Sequence, residues 1–198
     1  MAAESFSKEI VLKNGKVVTV RSLLSEDATA MAEFFKALPE DDRLYLRDDV
    51  SDPGFTDRFM KRIASHASVP IVALHGGKIV GQGNLYRESH GWMTHVAQIR
   101  LVVSRPFQRT GLGKHMAHEL VRLAMQIGVD KVIALVMDTQ TGAKKAFERL
   151  GFVQEAVLKD HVKDLRGKKH SLCILSNDVS HLWDAMEALA DNFLPTQE

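Results

Sequence analysis

The sequence predicts an α/β fold in which a mixed β-sheet is flanked by helices. An apolar segment with strand character, 94–103, is followed by a glycine-containing turn and then by a helical segment. From Gly111 onward the apolar residues recur at spacings of three and four, which is typical of a helix with one buried face. A second unit of this kind follows, with an apolar strand at 132–136 and a helix at 140–150.

Two glycines, Gly111 and Gly113, stand where the predicted strand gives way to the predicted helix. The first N–H groups of a helix have no acceptor within it, and with the helix dipole they attract phosphate. A glycine has no Cβ, so a ligand can approach the main chain closely. Arg105, Arg109 and Lys114 add positive charge around the same turn. The turn is therefore predicted to bind an anion.

Two common phosphate-binding motifs do not fit this turn. A Walker A loop needs a glycine where Gln108 stands and a Ser or Thr where His115 stands. A dinucleotide fingerprint needs a third glycine, at the position of Met116. The pattern that remains, Gln108-x-x-Gly111-x-Gly113 after an apolar strand, resembles the acyl-CoA pyrophosphate loop of the GNAT superfamily of N-acetyltransferases. A basic turn whose glycines serve packing is the alternative interpretation of these six residues.

The downstream sequence strengthens this resemblance. In the GNAT pattern a strand is followed by Asn, Ala, Tyr and then Gly-Phe, and this chain keeps Ala143, Gly151 and Phe152 at matching spacing. It departs from the pattern with Gln140 in place of the Asn and Phe147 in place of the Tyr. Gly151 is expected to end the preceding helix in a left-handed conformation.

The resemblance covers residues 18–177 and implies a single GNAT domain over 1–198. The implied architecture is the GNAT acyl-CoA N-acyltransferase fold, a central mixed sheet flanked by helices. The segment before it is expected to add an N-terminal hairpin whose Asn14-Gly15 turn is of type I′, with positive φ at both residues. Residues 178–198 are expected to form an extra C-terminal helix, which covers a sheet edge or meets the second subunit of a homodimer.

The remaining elements follow from periodicity and turn residues. Ser25 is expected to cap a helix over 27–38, and a second helix is predicted over 55–66. Two strands are predicted over 69–74 and 78–86. Glycines inside the second of these strands indicate a bulge or a close approach of another main chain.

The segment 39–53, between the two predicted helices, is acidic and irregular. The GNAT resemblance places this region beside the groove for the acceptor substrate, where carboxylates could attract a cationic amine. A solvated acidic surface is the alternative, since charged residues are mostly exposed.

Composition excludes several classes of protein. The 198 residues are 45% hydrophobic, enough for one domain with a full core. A net charge of +1 gives no general attraction to nucleic acid or acidic membranes, and no apolar run approaches the roughly 20 residues that span a bilayer. The first residues do not resemble a signal peptide. The single cysteine, Cys173, is expected to be a buried thiol in a reducing cytoplasm.

The resemblance implies a binding site for acetyl-CoA as cosubstrate. The central strand would diverge from its parallel neighbour, and main-chain groups along Leu101, Val102 and Val103 would pair with pantetheine and the thioester carbonyl. A run of main-chain amides after Gln108 would hold the diphosphate, namely those of Arg109, Thr110, Gly111, Leu112, Gly113 and Lys114. Further contacts are implied from the next helix, by Gln140, Ala143 and Phe147.

The acid–base residues are where this chain departs from the family. Many relatives carry a Glu on the central strand; the matching Gln98 can orient a water or an amine but cannot accept a proton. The Tyr that protonates the leaving thiolate in many relatives is replaced by Phe147. Asp138 is a candidate general base, and a helix-capping role suits its position equally well. A missing base slows a proton-transfer step by about 10²- to 10⁴-fold without abolishing it.

A metal site is not expected. His115 and His118 are three residues apart on a predicted helix, a spacing that can bind zinc, but a closed zinc site needs about four ligands. No Cys or carboxylate cluster in the sequence completes one.

Two functions from different classes fit these features. The first is an acetyl-CoA-dependent N-acetyltransferase that transfers an acetyl group to a primary amine, of a small molecule or a protein, by direct attack on the thioester. The second is a catalytically weak acyl-CoA-binding regulatory or sensor domain, which Gln98 and Phe147 favour. Nucleic-acid binding is poorly supported, because the basic residues near Gly111 are few.

Overall fold

A computed structural model describes residues 5–43, 46, 50, 52, 54–64, 68–88 and 90–181. Eight strands are described: β1 Ser7–Val11, β2 Val17–Ser22, β3 Ser68–His75, β4 Lys78–Arg87, β5 Val96–Val103, β6 Lys131–Met137, β7 Val153–Lys163 and β8 Lys169–Asp178. The helices in the described ranges are α1 Ala28–Ala37, α2 Glu40–Arg43, α3 Phe55–Ala64, α4 Leu112–Gln126 and α5 Thr141–Arg149. Short 3₁₀ turns precede α1 and α4, at Ser25–Asp27 and Arg105–Phe107.

The strands form one mixed sheet in the order β1-β2-β3-β4-β5-β6-β8-β7. Neighbouring strands are antiparallel except for β5 and β6, which run parallel. The helix α4 packs on one face, and α1 and α3 pack on the other. The predicted α/β class, with a central mixed sheet flanked by helices, is confirmed.

Two strand glycines let α4 lie directly on the sheet. A Cβ atom at Gly81 would stand 2.8 Å from the Met116 sulfur, and one at Gly83 would stand 2.9 Å from Leu120 Cδ1. Both helix residues are fully buried, as the sequence periodicity predicted. The closest contacts at these glycines come from side chains of α4 and not from another main chain. The β3–β4 register shifts beside Ala73, opposite Gly81, which corresponds to the bulge that the sequence offered as the alternative.

On the opposite face, α1 and α3 cover part of the sheet with an aromatic cluster. Phe35 packs edge-on against Phe55 and Phe59, with ring centroids 5.2 and 6.4 Å away. These rings lie over Val72 and Ile79. This aromatic cluster holds α1 and α3 on the sheet and covers only part of that face.

The start of α1 differs from the expectation that Ser25 caps it. The Leu24 N–H donates to Asp27 Oδ2 at 2.8 Å, and the Arg21 guanidinium donates to both Asp27 oxygens at 2.7 and 2.8 Å. α1 itself has no side-chain cap bond, and the N–H at the start of the preceding 3₁₀ turn is accepted by the Asp27 carboxylate. The ion pair with Arg21 fixes it in place, which a serine hydroxyl could not match.

The N-terminal hairpin is present, but its turn is not of type I′. Gly15 has φ +78°, whereas Asn14 is not among the residues with positive φ. The Gly15 N–H donates to Leu12 O, and the Leu12 N–H donates to Lys16 O, both at 2.9 Å. This is a type I turn followed by one left-handed glycine, a loop that needs a single positive φ instead of two.

The helix α5 ends at Gly151, with φ +91°, as predicted. The Phe152 N–H donates to Phe147 O and the Gly151 N–H donates to Glu148 O, both at 3.0 Å. These are the two bonds of a Schellman motif, and the Phe147 and Phe152 rings make its apolar contact at 5.1 Å.

The chain beyond β8 is described only for a short stretch. A helical turn begins at Val179, where Asp178 Oδ1 accepts the Ser180 N–H at 2.9 Å. The rest of the predicted C-terminal helix lies outside the described residues, as does much of the acidic segment 39–53. Cys173 is buried with a free thiol, as expected. No described helix is both long and apolar enough to cross a membrane.

Asp27→Asn is expected to lower the free energy of unfolding by about 2 kcal/mol at pH 7, because it removes a charge-assisted bond from a mostly buried pair. The hydrogen bond from Arg21, aided by the Leu24 N–H and opposed by burial, holds the pKa of the Asp27 carboxyl below its usual value. Its stabilisation is therefore present above the unfolded-state pKa of about 4 and is lost as the pH falls through the folded-state value.

Urea titrations at pH 7 and pH 3 check this. The difference in free energy of unfolding between wild type and Asp27→Asn should be smaller at pH 3 than at pH 7. The control Glu26→Gln, at an exposed neighbour, should change stability by under about 0.5 kcal/mol. A variant as stable as wild type at pH 7 would show that the pair does not anchor α1.

Candidate active site

An opening lies between the parallel strands β5 and β6. The two strands pair only from Val96 to Gln98, opposite Lys131 to Ile133. Beyond Gln98, β5 continues to Val103 beside β4, and β6 continues to Met137 beside β8. Each strand therefore leaves one main-chain edge unpaired by the other, which is the divergence that the family resemblance implied.

Hydrogen bonds at the two ends of β5 show which residues face the opening. The His95 carbonyl accepts N–H groups from the β6 side, whereas the Ser104 N–H donates to β4 at 3.0 Å. Main-chain groups alternate between the two sides of a strand, so those of Leu101 and Val103 face the opening. Val102 turns its main chain toward β4, where it lies opposite Gln82.

Two glutamine side chains occupy the two edges of the opening. Gln108 donates its Nε2 hydrogen to the Val103 carbonyl at 3.0 Å. Gln140 accepts the Met137 N–H with its Oε1 at 2.9 Å. Both positions came from the sequence motif, but these partners, one on each strand, were not foreseen. The glutamines each bond one main-chain group at the opening. The N–H and C=O of Leu101 have no partner on this side among the described residues.

The loop between β5 and α4 presents a run of main-chain donors. The helix starts at Leu112, and its N-cap residue Gly111 has φ +95°. The first bond of helical spacing runs from the His115 N–H to Gly111 O at 3.2 Å. The five N–H groups from Arg109 to Gly113 have no acceptor among the described residues. The predicted helix start and its donors are thus present.

Local contacts hold this loop in shape. Arg109 has φ +60°, an uncommon conformation for a residue with a side chain. The Thr110 hydroxyl donates to the Phe107 carbonyl at 2.6 Å. A Cβ at Gly113 would make ordinary contacts of 3.7 and 3.9 Å with Leu101 and Val103. Of the two glycines in this loop, only Gly111 needs a conformation that side chains disfavour.

The charges beside the loop come from arginine and lysine. Burial, reinforced by Lys114, lowers the pKa of His115, so its imidazole is neutral at pH 7. Arg105 is paired with Asp42 through two bonds of 3.0 Å. No group of three or more His, Cys, Asp or Glu within the described ranges could hold a metal ion.

On the far side of the opening, Ala143 and Phe147 are half-buried against the main core. The Phe147 ring contacts Phe152 and carries no hydroxyl. Phe147 therefore has no side-chain proton to donate, and its ring packs at the end of α5.

Asp138, the candidate base, faces β8. Its N–H donates to Ser171 O at 3.0 Å, and its Oδ1 lies 3.7 Å from His170 Nδ1. His170 is buried, and its Nε2 lies 3.0 Å from Asp164 Oδ2. The bond with His170 holds the pKa of the Asp164 carboxyl below its usual value. The Asp138 main chain thus points away from the opening, and its carboxylate contacts this histidine.

The sheet face opposite α4 carries a polar cluster around the predicted site residue Gln98, and the sequence did not predict that these side chains lie together. The register of β3, β4 and β5 places Ser68, Asn84, Tyr86, Gln98 and Arg100 together on this face. Arg100 lies 4.2 Å above the Tyr86 ring, and its Nη2 is 3.5 Å from Gln98 Oε1. The signal was a row of polar side chains at every second position of β4, Gln82, Asn84 and Tyr86.

Asn84 is the unusual member of this cluster. It is 1% exposed, and neither its Nδ2 nor its Oδ1 has a hydrogen-bond partner among the described residues. The buried Ser68 hydroxyl also has no partner in the described part of the chain. Each such group costs about 1–3 kcal/mol. Groups of this kind occur where a water or a ligand supplies the missing partner, so Asn84 and Ser68 mark a buried polar position beside Gln98.

The acidic helix α2 connects two loops. Glu40 and Asp41 lie 2.8 and 3.8 Å from the Arg166 guanidinium, in the β7–β8 turn. Asp42 pairs with Arg105 at the end of β5. The side chains of Glu40 and Asp41 are 69% and 74% exposed, as the interpretation of a solvated surface expected. All three carboxylates also have an arginine partner, which the sequence did not predict.

Comparison with known proteins agrees with this geometry. The sequence profile of the Acetyltransferase (GNAT) family matches residues 29–152. No curated protein matches the chain in a sequence comparison.

Three solved structures share the fold at low sequence identity. The GNAT domain of S. lividans PAT is 18% identical, with TM-score 0.72, covering 87% of this chain and 96% of that one. Ribosomal-protein-S5-alanine acetyltransferase from Vibrio fischeri is 15% identical, with TM-score 0.73 and coverages of 88% and 96%. Spermidine N-acetyltransferase from Vibrio cholerae, in complex with CoA and spermine, is 15% identical, with TM-score 0.71 and coverages of 83% and 97%. The profile spans more than half of the sequence, and the chain belongs to the GNAT family of acetyltransferases.

Proposed function

We propose that this protein is an acetyl-CoA-dependent N-acetyltransferase that transfers the acetyl group to a primary amine by direct attack on the thioester. The observation that carries the proposal is the run of five main-chain N–H groups from Arg109 to Gly113, set beside the open edge of β5. A diphosphate fits such donors, because they point outward at the positive end of a helix dipole.

The residues present fit acetyl-CoA along its length. The N–H groups of the loop would hold the diphosphate, and the main chain of Leu101 would pair with the pantetheine arm. Half-buried Ala143 and Phe147 would line the apolar far side. Acetyl-CoA supplies an acetyl group already activated as a thioester. An N–H group of β5 directed at the thioester carbonyl would stabilise the negative charge that develops there.

The amine is proposed to approach from the face that carries Gln98 and Asn84. Gln98 can orient an amine or a water through its amide but cannot take up a proton. Proton removal then depends on water or on another residue, for which Asp138 is the candidate. Positioning alone can supply about 7–11 kcal/mol of the barrier reduction, so a strong base is not indispensable.

A sensor that binds acyl-CoA with little turnover is the second candidate. Gln98 and Phe147 favour it, since neither side chain can transfer a proton. The two functions share the CoA site and differ in whether an amine is consumed.

Calorimetric titration with acetyl-CoA, set beside CoA release with a panel of small and peptide amines, tests the proposal. Binding accompanied by amine-dependent CoA release is expected. Binding without release on any amine would favour the sensor, and absence of binding would contradict both functions.

Two glycine variants make this test specific to the loop. Gly111→Ala forces a side chain into a left-handed conformation at a cost of about 1–2 kcal/mol, and should weaken acetyl-CoA binding about tenfold by displacing the donors. Gly113→Ala has room for its methyl group and should bind within about twofold of wild type. Equal affinities for the two variants would argue against the loop as the diphosphate site.

Asn84→Leu is expected to raise the free energy of unfolding by about 1 kcal/mol, because it removes buried groups without partners. Amine-dependent CoA release should fall while acetyl-CoA affinity stays unchanged. The control Gln82→Leu, on the same face of β4, should not gain stability, since Gln82 Nε2 donates to Gly83 O at 2.9 Å. Thermal unfolding and turnover assays measure both effects. Full activity in Asn84→Leu would remove this face from the acceptor site.

A further inference from the structure

The turn of the N-terminal hairpin contacts the loop that precedes α4. The Lys13 N–H donates to the Thr110 carbonyl at 3.1 Å. The Lys16 ammonium lies 4.8 Å from the centre of the Phe107 ring. The first strand and the turn of the hairpin lie outside residues 18–177, over which the sequence resembles the family, yet the turn is bonded to the anion-binding loop.

The Lys13 side chain extends over Gly111. Its Cγ and Cε lie 3.8 and 3.9 Å from the point where a Cβ atom of Gly111 would stand. The Lys13 ammonium is therefore carried to the start of α4, beside the N–H groups of the loop. The main-chain bond to Thr110 fixes the base of this side chain beside the loop.

This placement is electrostatically unfavourable unless an anion is bound. A cation near a helix N-terminus is repelled by the dipole, and Arg109 adds a second positive charge to the same loop. The described carboxylates form no ion pair with either Lys13 or Arg109. The buried carboxylate in the second turn of α4, Glu119, is paired with Lys8 and Arg122.

We propose that Lys13 binds a phosphate group of coenzyme A, which makes the hairpin turn part of the cosubstrate site. The inference rests on the proposed function, because it takes the loop from Arg109 to Gly113 as the diphosphate site. Lys13 supplies the ionic contact that the neutral imidazole of His115 does not. Coenzyme A carries phosphate at its diphosphate and at its ribose 3′ position, and both have the required chemistry.

Calorimetric titration of the full chain with CoA compares wild type, Lys13→Gln, Lys13→Arg and Lys36→Gln. Lys13→Gln is expected to weaken binding about three- to tenfold, less at high salt, and Lys13→Arg is expected to restore it. Lys36→Gln makes the same change of charge at an exposed position of α1 and should bind CoA like wild type. Thermal unfolding of each variant checks that the hairpin remains folded, since the Lys13 main-chain bond is kept.

Dephospho-CoA and pantetheine identify the contact. If Lys13→Gln and wild type bind dephospho-CoA equally well, Lys13 contacts the 3′-phosphate. If Lys13→Gln still binds dephospho-CoA more weakly than wild type does, Lys13 contacts the diphosphate. Pantetheine carries no phosphate, so the rise in unfolding temperature that it produces at millimolar concentration should be the same for Lys13→Gln and wild type.

Two results would overturn this inference alone. One is unchanged CoA affinity in Lys13→Gln while wild type binds. The other is a smaller rise in unfolding temperature with pantetheine for Lys13→Gln than for wild type, which would show that Lys13 only shapes the loop. Failure of wild type to bind CoA would instead contradict the proposed function, and the inference with it.

Discussion

A main-chain N–H group that leaves water must find another acceptor, and this constraint governs the opening between β5 and β6. The strands part after three paired positions, so the following residues of β5 lose the partner that a regular sheet would provide. The loop up to Gly113 adds further donors, because a helix cannot satisfy its own first N–H groups. One region of the fold therefore concentrates main-chain donors, and an elongated ligand with phosphates at one end and amides along its length is complementary to it.

The surrounding structure keeps the opening from closing. Close packing of α4 on Gly81 and Gly83 sets the height of the helix over the sheet, and Gly111 directs its N-terminus toward the end of β5. Gln108 and Gln140 satisfy one main-chain group on each strand without bridging the gap. The stability of the fold thus comes from the two apolar clusters, while the site retains groups that a more stable protein would pair.

Local features of the sequence predicted much of this arrangement. The Gly111 turn, the buried stripe of α4 and the Gly151 cap depend on residues close in sequence, whose backbone preferences decide the outcome. Non-local contacts could not be predicted in this way. The Asp27 carboxylate accepts the Leu24 N–H because Arg21 holds it, and the Asn14 turn follows the geometry of its strands. The contact of Lys13 with the loop joins segments about 100 residues apart. The polar row on β4 was visible, but its burial depends on three strands in register.

The central claim is that the main-chain amides between β5 and α4 bind the diphosphate of coenzyme A. Amide chemical shifts of ¹⁵N-labelled protein, recorded during titration with CoA, test it residue by residue. The account predicts that the largest changes occur at Arg109 to Gly113, with a second group at Leu101 and Val103. Saturation of the protein with CoA while these amides stay unperturbed and others shift would contradict it.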